Sequence, residues 1–228
     1  TAPIAGPSLG AVVADGDSVR YYVNGAQTRV LGCVGHVANT GDLWFGNSGG
    51  PPNCAGFRGE IDEVRIWNVT RTGEEIANFY RCPVDPQSTG LVGYWTFDEA
   101  VGDQHIYDLS PLGNHGILGN SLNVEAADPT RVVATDQCLP SSANKALHVD
   151  GNQHGRAPHH VSLEFPSPPV GTIELWAKQD AASLDQHVLG KRPGPPCGPV
   201  NFYQFVTRLD SSIPGGWGAG DCSVGSGQ

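Results

Sequence analysis

Residues 56–78 read GFRGEIDEVRIWNVTRTGEEIAN, the pattern of a β-strand running into a short capped helix. Ile61–Trp67 is rich in β-branched and aromatic side chains, the composition of a strand. Thr72-Gly73-Glu74-Glu75 has the form of a capping box and predicts a helix to about Tyr80. Residues 90–119, GLVGYWTFDEAVGDQHIYDLSPLGNHGILG, open on a further strand, Leu91–Phe97, and end on another, Ile117–Leu118. The first stretch reads as the close of a domain and the second as an opening. Along the chain they come in that inverted order.

Working outward, strands follow one another. Val12–Ala14 and Val19–Val23 flank a turn at Asp15-Gly16-Asp17, and Asn24-Gly25 reads as a tight hairpin turn. Leu43–Gly46, Ala146–Val149, Val161–Phe165, Thr172–Lys178, His187–Gly190 and Phe202–Leu209 complete the set. Alternation puts Ile173, Leu175 and Ala177 on one face and Thr172, Glu174, Trp176 and Lys178 on the other. With 31 Gly and 18 Pro to break the chain into short strands, the expected fold class is all-β, an antiparallel sandwich with one short helix.

Together the two stretches resemble the laminin-G-like, concanavalin-A-like family of extracellular jelly-roll domains. Its modules open on a GLVGYW-x-FDE segment with GNHG downstream and close on G-x-IDEVRIWN followed by T-x-x-EI. Residues 10–25 (GAVVADGDSVRYYVNG) resemble the family's central hairpin; 146–151 (ALHVDG) and 171–177 (GTIELWA) resemble its early strands. The resemblance implies an antiparallel jelly-roll β-sandwich. In family terms residues 1–80 are the C-terminal half of one module and 91–228 the N-terminal half of another. Residues 81–90 (RCPVDPQSTG) read as a linker. Either the halves pack together as one permuted sandwich, or each takes its missing strands from elsewhere, since open sheet edges invite partners.

Composition narrows the setting. A net charge of −10 disfavours nucleic acid and anionic membrane surfaces. No apolar run approaches the roughly 18 residues of a membrane span. No signal peptide is legible, which reads as a mature or excised chain. The six cysteines, Cys33, Cys54, Cys82, Cys138, Cys197 and Cys222, form no C-x-x-C pair, so they read as a disulfide framework in an extracellular or cell-surface protein. The pairs Cys33–Cys54, Cys82–Cys138 and Cys197–Cys222 are favoured because each flanks loop-like sequence. Asn68-Val69-Thr70 is a glycosylation sequon.

Catalytic readings fail on the residues. Glu60-Ile61-Asp62 begins the acidic strand of a jelly-roll glucanase, but the third acid should stand at Val64 or Arg65. His159-His160 are adjacent, facing opposite ways on a strand, and no G-x-S-x-G elbow or P-loop occurs. The expectation is a protein without enzymatic activity.

The resemblance also implies a calcium ion, for which Asp98 with Glu99, Asp108, Asp150 and Asp62 are the candidate oxygen ligands. For sugar stacking and hydroxyl contacts the candidates are Trp44, Tyr94, Trp95, Trp176, Trp217, Asn47 and Asn114, with Trp217 on a glycine-rich loop the most exposed in expectation and Trp67 and Trp95 assigned to the core. Two functions from different classes remain. The one favoured by the inverted order of the two stretches is an extracellular structural or assembly module of a multi-module or filament-forming glycoprotein, its partners being other copies or neighbouring modules. The other is a calcium-assisted carbohydrate- or protein-binding, lectin-like adhesion module, its partners being glycans.

Overall fold

The computed structural model describes residues 8–32, 40–47, 56–80, 82–134, 144–166, 168–180 and 186–191, and the backbone alone of 203–207 and 217–219. In chain order the strands are β1 (Ser8–Asp15), β2 (Ser18–Val23), β3 (Ala26–Gly32), β4 (Leu43–Phe45) and β5 (Arg58–Trp67), followed by helix α1 (Gly73–Phe79). Then come β6 (Leu91–Trp95), β7 (His105–Ile106), β8 (Gly116–Leu118), β9 (Thr130–Val133), β10 (Lys145–Asp150) and β11 (Gly155–Ala157). Last are β12 (Val170–Gln179), β13 (Gln186–Lys191), β14 (Tyr203–Thr207) and β15 (Trp217–Ala219).

These strands form two antiparallel sheets. The first runs β3-β2-β1-β12-β5-β10-β9, with β6 paired to the far end of β5; the second runs β15-β14-β13-β4-β11-β8-β7. Both orders have free ends, so neither sheet closes into the barrel of a true jelly roll. The architecture shown is a sandwich. Strands from before and after residues 81–90 alternate within it: β12 lies between β1 and β5, and β4 lies between β13 and β11.

The alternation read from β12 explains the layer between the sheets. Ile173, Leu175 and Ala177 join Phe45, Phe57, Ile61, Trp95, Phe97 and Leu147 in one buried cluster. Phe45 meets Trp95 and Phe97 edge-on at 5.1 and 5.4 Å. Each such side chain contributes about 1.5–3 kcal/mol of burial.

The opposite face of the first sheet is covered as well. Trp176 lies with Leu9, Ala11, Val13, Tyr22 and Ile76 of α1 in a second apolar cluster. Thr72 caps α1, and the reciprocal bonds with Glu75 complete the expected box. A bulge in β5 makes room for charge here. Three steps of β5, from Asp62 to Arg65, oppose two of β12, from Trp176 to Glu174, and Glu63 takes φ 51°. Arg65, wholly buried, pairs with Glu63 and Glu174 and donates to the carbonyls of Phe79 and Cys82. Arg71 donates to Glu174 at 2.8 Å and stacks on Trp67. Burial alone would lower the basicity of Arg65, but the Glu63 and Glu174 carboxylates raise it, so the guanidinium stays charged. The cluster fastens the helix and the segment after it to the sheet.

Two expectations are corrected. Val161–Phe165 is no strand: Val161–Leu163 is a 3₁₀ turn whose first turn is capped by the His160 side chain accepting from the Ser162 N–H. A local acceptor there outweighs the apolar pattern. The three-bridge disulfide framework is not found among the described residues either. No disulfide joins two described residues, and Cys33, Cys54, Cys138, Cys197 and Cys222 lie outside them. Cys82 is described and is not a free thiol.

Candidate functional site

The outward face of the second sheet brings aromatic, apolar and cationic side chains together. Its parity follows from the core: Leu43 and Phe45, Gly116 and Leu118, and Gly155 and Ala157 turn inward, so Trp44, Ile117 and Arg156 turn outward. Register sets them in a row. His105 stands opposite Ile117, Ile117 opposite Arg156, Arg156 opposite Trp44, and Trp44 opposite Gly190. All four side chains are half-buried, reached by solvent but held in place.

At one end of the row, Trp44 packs against the His154 ring at 4.9 Å. Arg156 is fixed by Asp42 at 3.0 Å and by the Asn120 carbonyl at 3.0 Å. Asp42 also accepts from the His159 N–H at 3.0 Å, so one carboxylate holds the Arg156 side chain and the backbone that follows β11. His154 hangs between chain segments: its N–H donates to the Ala127 carbonyl and its own carbonyl accepts from Gly119. Burial, with Arg156 nearby, holds its imidazole below the usual range and hence neutral at pH 7. Three buried polar atoms of this corner, His154 Nε2, Asp128 Oδ1 and Arg156 Nε, have no hydrogen-bond partner among the described residues. Such atoms are rare and costly in folded proteins.

At the other end, Tyr107 follows β7 with the same parity as His105. The two rings stack at 5.7 Å with 12° between planes, and His115 meets Tyr107 edge-on at 5.5 Å. His115 Nδ1 accepts from the Asp108 N–H, which leaves its other nitrogen outward. Asp103 accepts from both the N–H and the ring of His105, bonds that hold its carboxyl below the usual range.

The carboxylates expected to bind calcium are scattered and engaged. Asp108 accepts four hydrogen bonds, from the N–H of Tyr94, Ser110 and Asn114 and from the Ser110 hydroxyl, which occupies both oxygens fully. Asp98 accepts from Lys145, and Glu99 takes the Tyr107 N–H and Arg131. Asp150 forms its own turn through Asn152, with Gly151 at φ 96°. Asp62 is buried and accepts from the Glu63 N–H. No group of three or more His, Cys, Asp or Glu able to hold a metal occurs among the described residues. The named residues do not fit a shared ion.

Asn114 is buried too. It donates to the Val92 carbonyl and the Ser162 hydroxyl, and its carbonyl accepts from Trp95. Tyr94, Trp95 and Trp176 are core residues, as Trp67 is. Trp217 lies in β15 opposite Thr207, its side chain outside the described residues. Asn68 is exposed, its N–H donating to the Gly90 carbonyl. Glu60 is held by Lys178 at 2.7 Å. Of the sugar-contact candidates, Trp44 alone joins the row. Its companions His105, Tyr107, His154 and Arg156 carry no signal in the sequence, because strands of two and three residues are too short to show alternation.

Comparison with known families places one segment of this frame. Residues 9–77 match the family model of the Concanavalin A-like lectin/glucanases superfamily. The match runs from β1 through α1 and covers less than a third of the chain, including Trp44 and its strand. That superfamily holds both lectins and glucanases by name. No curated protein matches the chain, and no solved structure does.

Proposed function

We propose that this is an extracellular, non-enzymatic recognition module that binds carbohydrate on the outward face of the second sheet. The observation that carries the reading is Trp44. Its indole is kept partly in solvent beside His154, Arg156 and Asp42 while Trp67, Trp95 and Trp176 are buried. An aromatic face flanked by fixed donors and acceptors is what a sugar ring requires, with its apolar face and its edge of hydroxyls. Exposed Asn68 serves as a glycan attachment point.

Affinity electrophoresis of the whole chain against immobilised polysaccharides, with Trp44→Ala and Arg156→Ala as comparisons, tests this. Retardation lost in both variants supports the reading; retardation unchanged in both refutes it. Release of reducing ends from a retained glycan would refute the non-enzymatic part.

The assembly reading keeps one specific support. Among the described strands β3 ends the first sheet and pairs only with β2, leaving Val30 51% and Leu31 38% exposed on an edge without lysine or proline. Such an edge is open to a strand from a neighbouring copy. Light scattering of the chain and of Val30→Lys decides it: oligomers dissolved by the lysine support strand addition, and a monomer in both cases refutes it.

A further inference from the structure

The row on the second sheet is longer than one sugar. Trp44, Arg156, Ile117 and His105 lie on four consecutive strands, β4, β11, β8 and β7. At ~4.8 Å per strand the two ends are about 14 Å apart, the reach of roughly three to four linked sugar rings. Both ends are aromatic: Trp44 with His154 at one, and His105, Tyr107 and His115 at the other. Tyr107 is 42% exposed. Between them lie an apolar side chain, Ile117, and a guanidinium already aligned by Asp42. Two ring platforms separated by a flatter stretch form the contour of a chain lying across the strands.

Charge selects among chains. Arg156 is the cation of the row, and Asp42 faces it at 3.0 Å. Asp103 stands beside His105, Glu99 is paired with Arg131, and Glu125 and Asp128 flank the loop beside His154. Hydrogen bonds from the Asn120 and His105 N–H groups hold the Glu125 and Asp103 carboxyls below the usual carboxylate range. The surroundings are acidic in sum, which repels sulfated and uronic chains.

We infer that the ligand is a linear, non-anionic polysaccharide, gripped along its length across β4, β11, β8 and β7 rather than by a terminal sugar. This rests on the reading of the Trp44 face as a carbohydrate site.

The test is titration calorimetry of the whole chain with chito-, cello- and xylo-oligosaccharides, from the single sugar to the hexasaccharide, and with heparin. Affinity for one of the series should rise at least about tenfold from the single sugar to the tetrasaccharide and then level off. Tyr107→Ala, at an exposed position, should bring the tetrasaccharide down to about the single-sugar level. Its melting temperature confirms that it folds. Equal affinity at every length, an unaffected Tyr107→Ala, or preference for heparin overturns the inference while the Trp44 site stands. Binding untouched by Trp44→Ala, or none in any series, overturns both.

Discussion

Arg156 stands directly opposite Trp44 in the β4–β11 register, and both turn away from the core that Leu43, Phe45 and Ala157 fill. The pairing sets an arginine and a tryptophan side by side on the outward face of the sheet, with the guanidinium bonded to Asp42 and to the Asn120 carbonyl. A rigid sheet is a more exact support for a binding row than a loop.

Trp44→Ala should therefore separate binding from stability. Removing a half-buried outward ring should lower stability by about 1 kcal/mol. Glycan retention should fall by at least about tenfold. Thermal melting and affinity electrophoresis on the same sample check both numbers.

Asp108 is a hub of the fold, and its substitution reports on that. Asp108→Asn places an amide N–H against N–H donors, so stability should fall by about 2–4 kcal/mol. Urea unfolding with calcium and with EDTA should give the same loss. A loss seen only with calcium present would instead mark Asp108 as an ion ligand.

Arg65→Ala would leave Glu63 and Glu174 buried without their shared cation. The expected cost is about 3–5 kcal/mol, read by denaturant unfolding. Protease cleavage after α1 should accelerate as well, because Arg65 holds the Phe79 and Cys82 carbonyls.

Two glycines form a contrasting pair. A Cβ at Gly59, φ 147°, would lie 2.0 Å from the Lys178 carbonyl oxygen, backbone that cannot step aside. Gly59→Ala should cost about 3 kcal/mol. At Gly102, φ 91°, nothing lies within 4 Å, so Gly102→Ala should show only the left-handed penalty, about 1–2 kcal/mol. Melting temperatures rank them.

His154 gives the fold an acid-sensitive corner. Its folded value lies below the ordinary 6.5, so its contribution is complete above 6.5 and is lost as pH falls through the folded value. Between pH 7 and 5 the melting temperature should drop, and His154→Phe should flatten that slope. An unchanged slope in the variant would assign the acid sensitivity to other groups.

The elements with long pattern were legible from residues alone. β12 alternates over ten residues, α1 announces itself by Thr72 and Glu75, and Asn24-Gly25 turns with φ 50° and 80° as a tight hairpin requires. β3, β7, β9, β11 and β15 were not. They are short or exposed, and their strand state comes from neighbours far along the chain.

The same division holds for the binding face. Sequence by itself determined the sandwich class, the apolar layer of Ile173, Leu175 and Ala177, and the identity of Trp44 as an aromatic open to either role. Only tertiary structure decided that Trp44 faces solvent while Trp95 and Trp176 do not, and that Asp108 and Asn114 serve the fold. The reason is physical. Which face of a three-residue strand is buried depends on the sheet stacked against it, and residues 44, 105, 117 and 156 meet only through strand pairing, which for Trp44 and Arg156 spans more than a hundred positions.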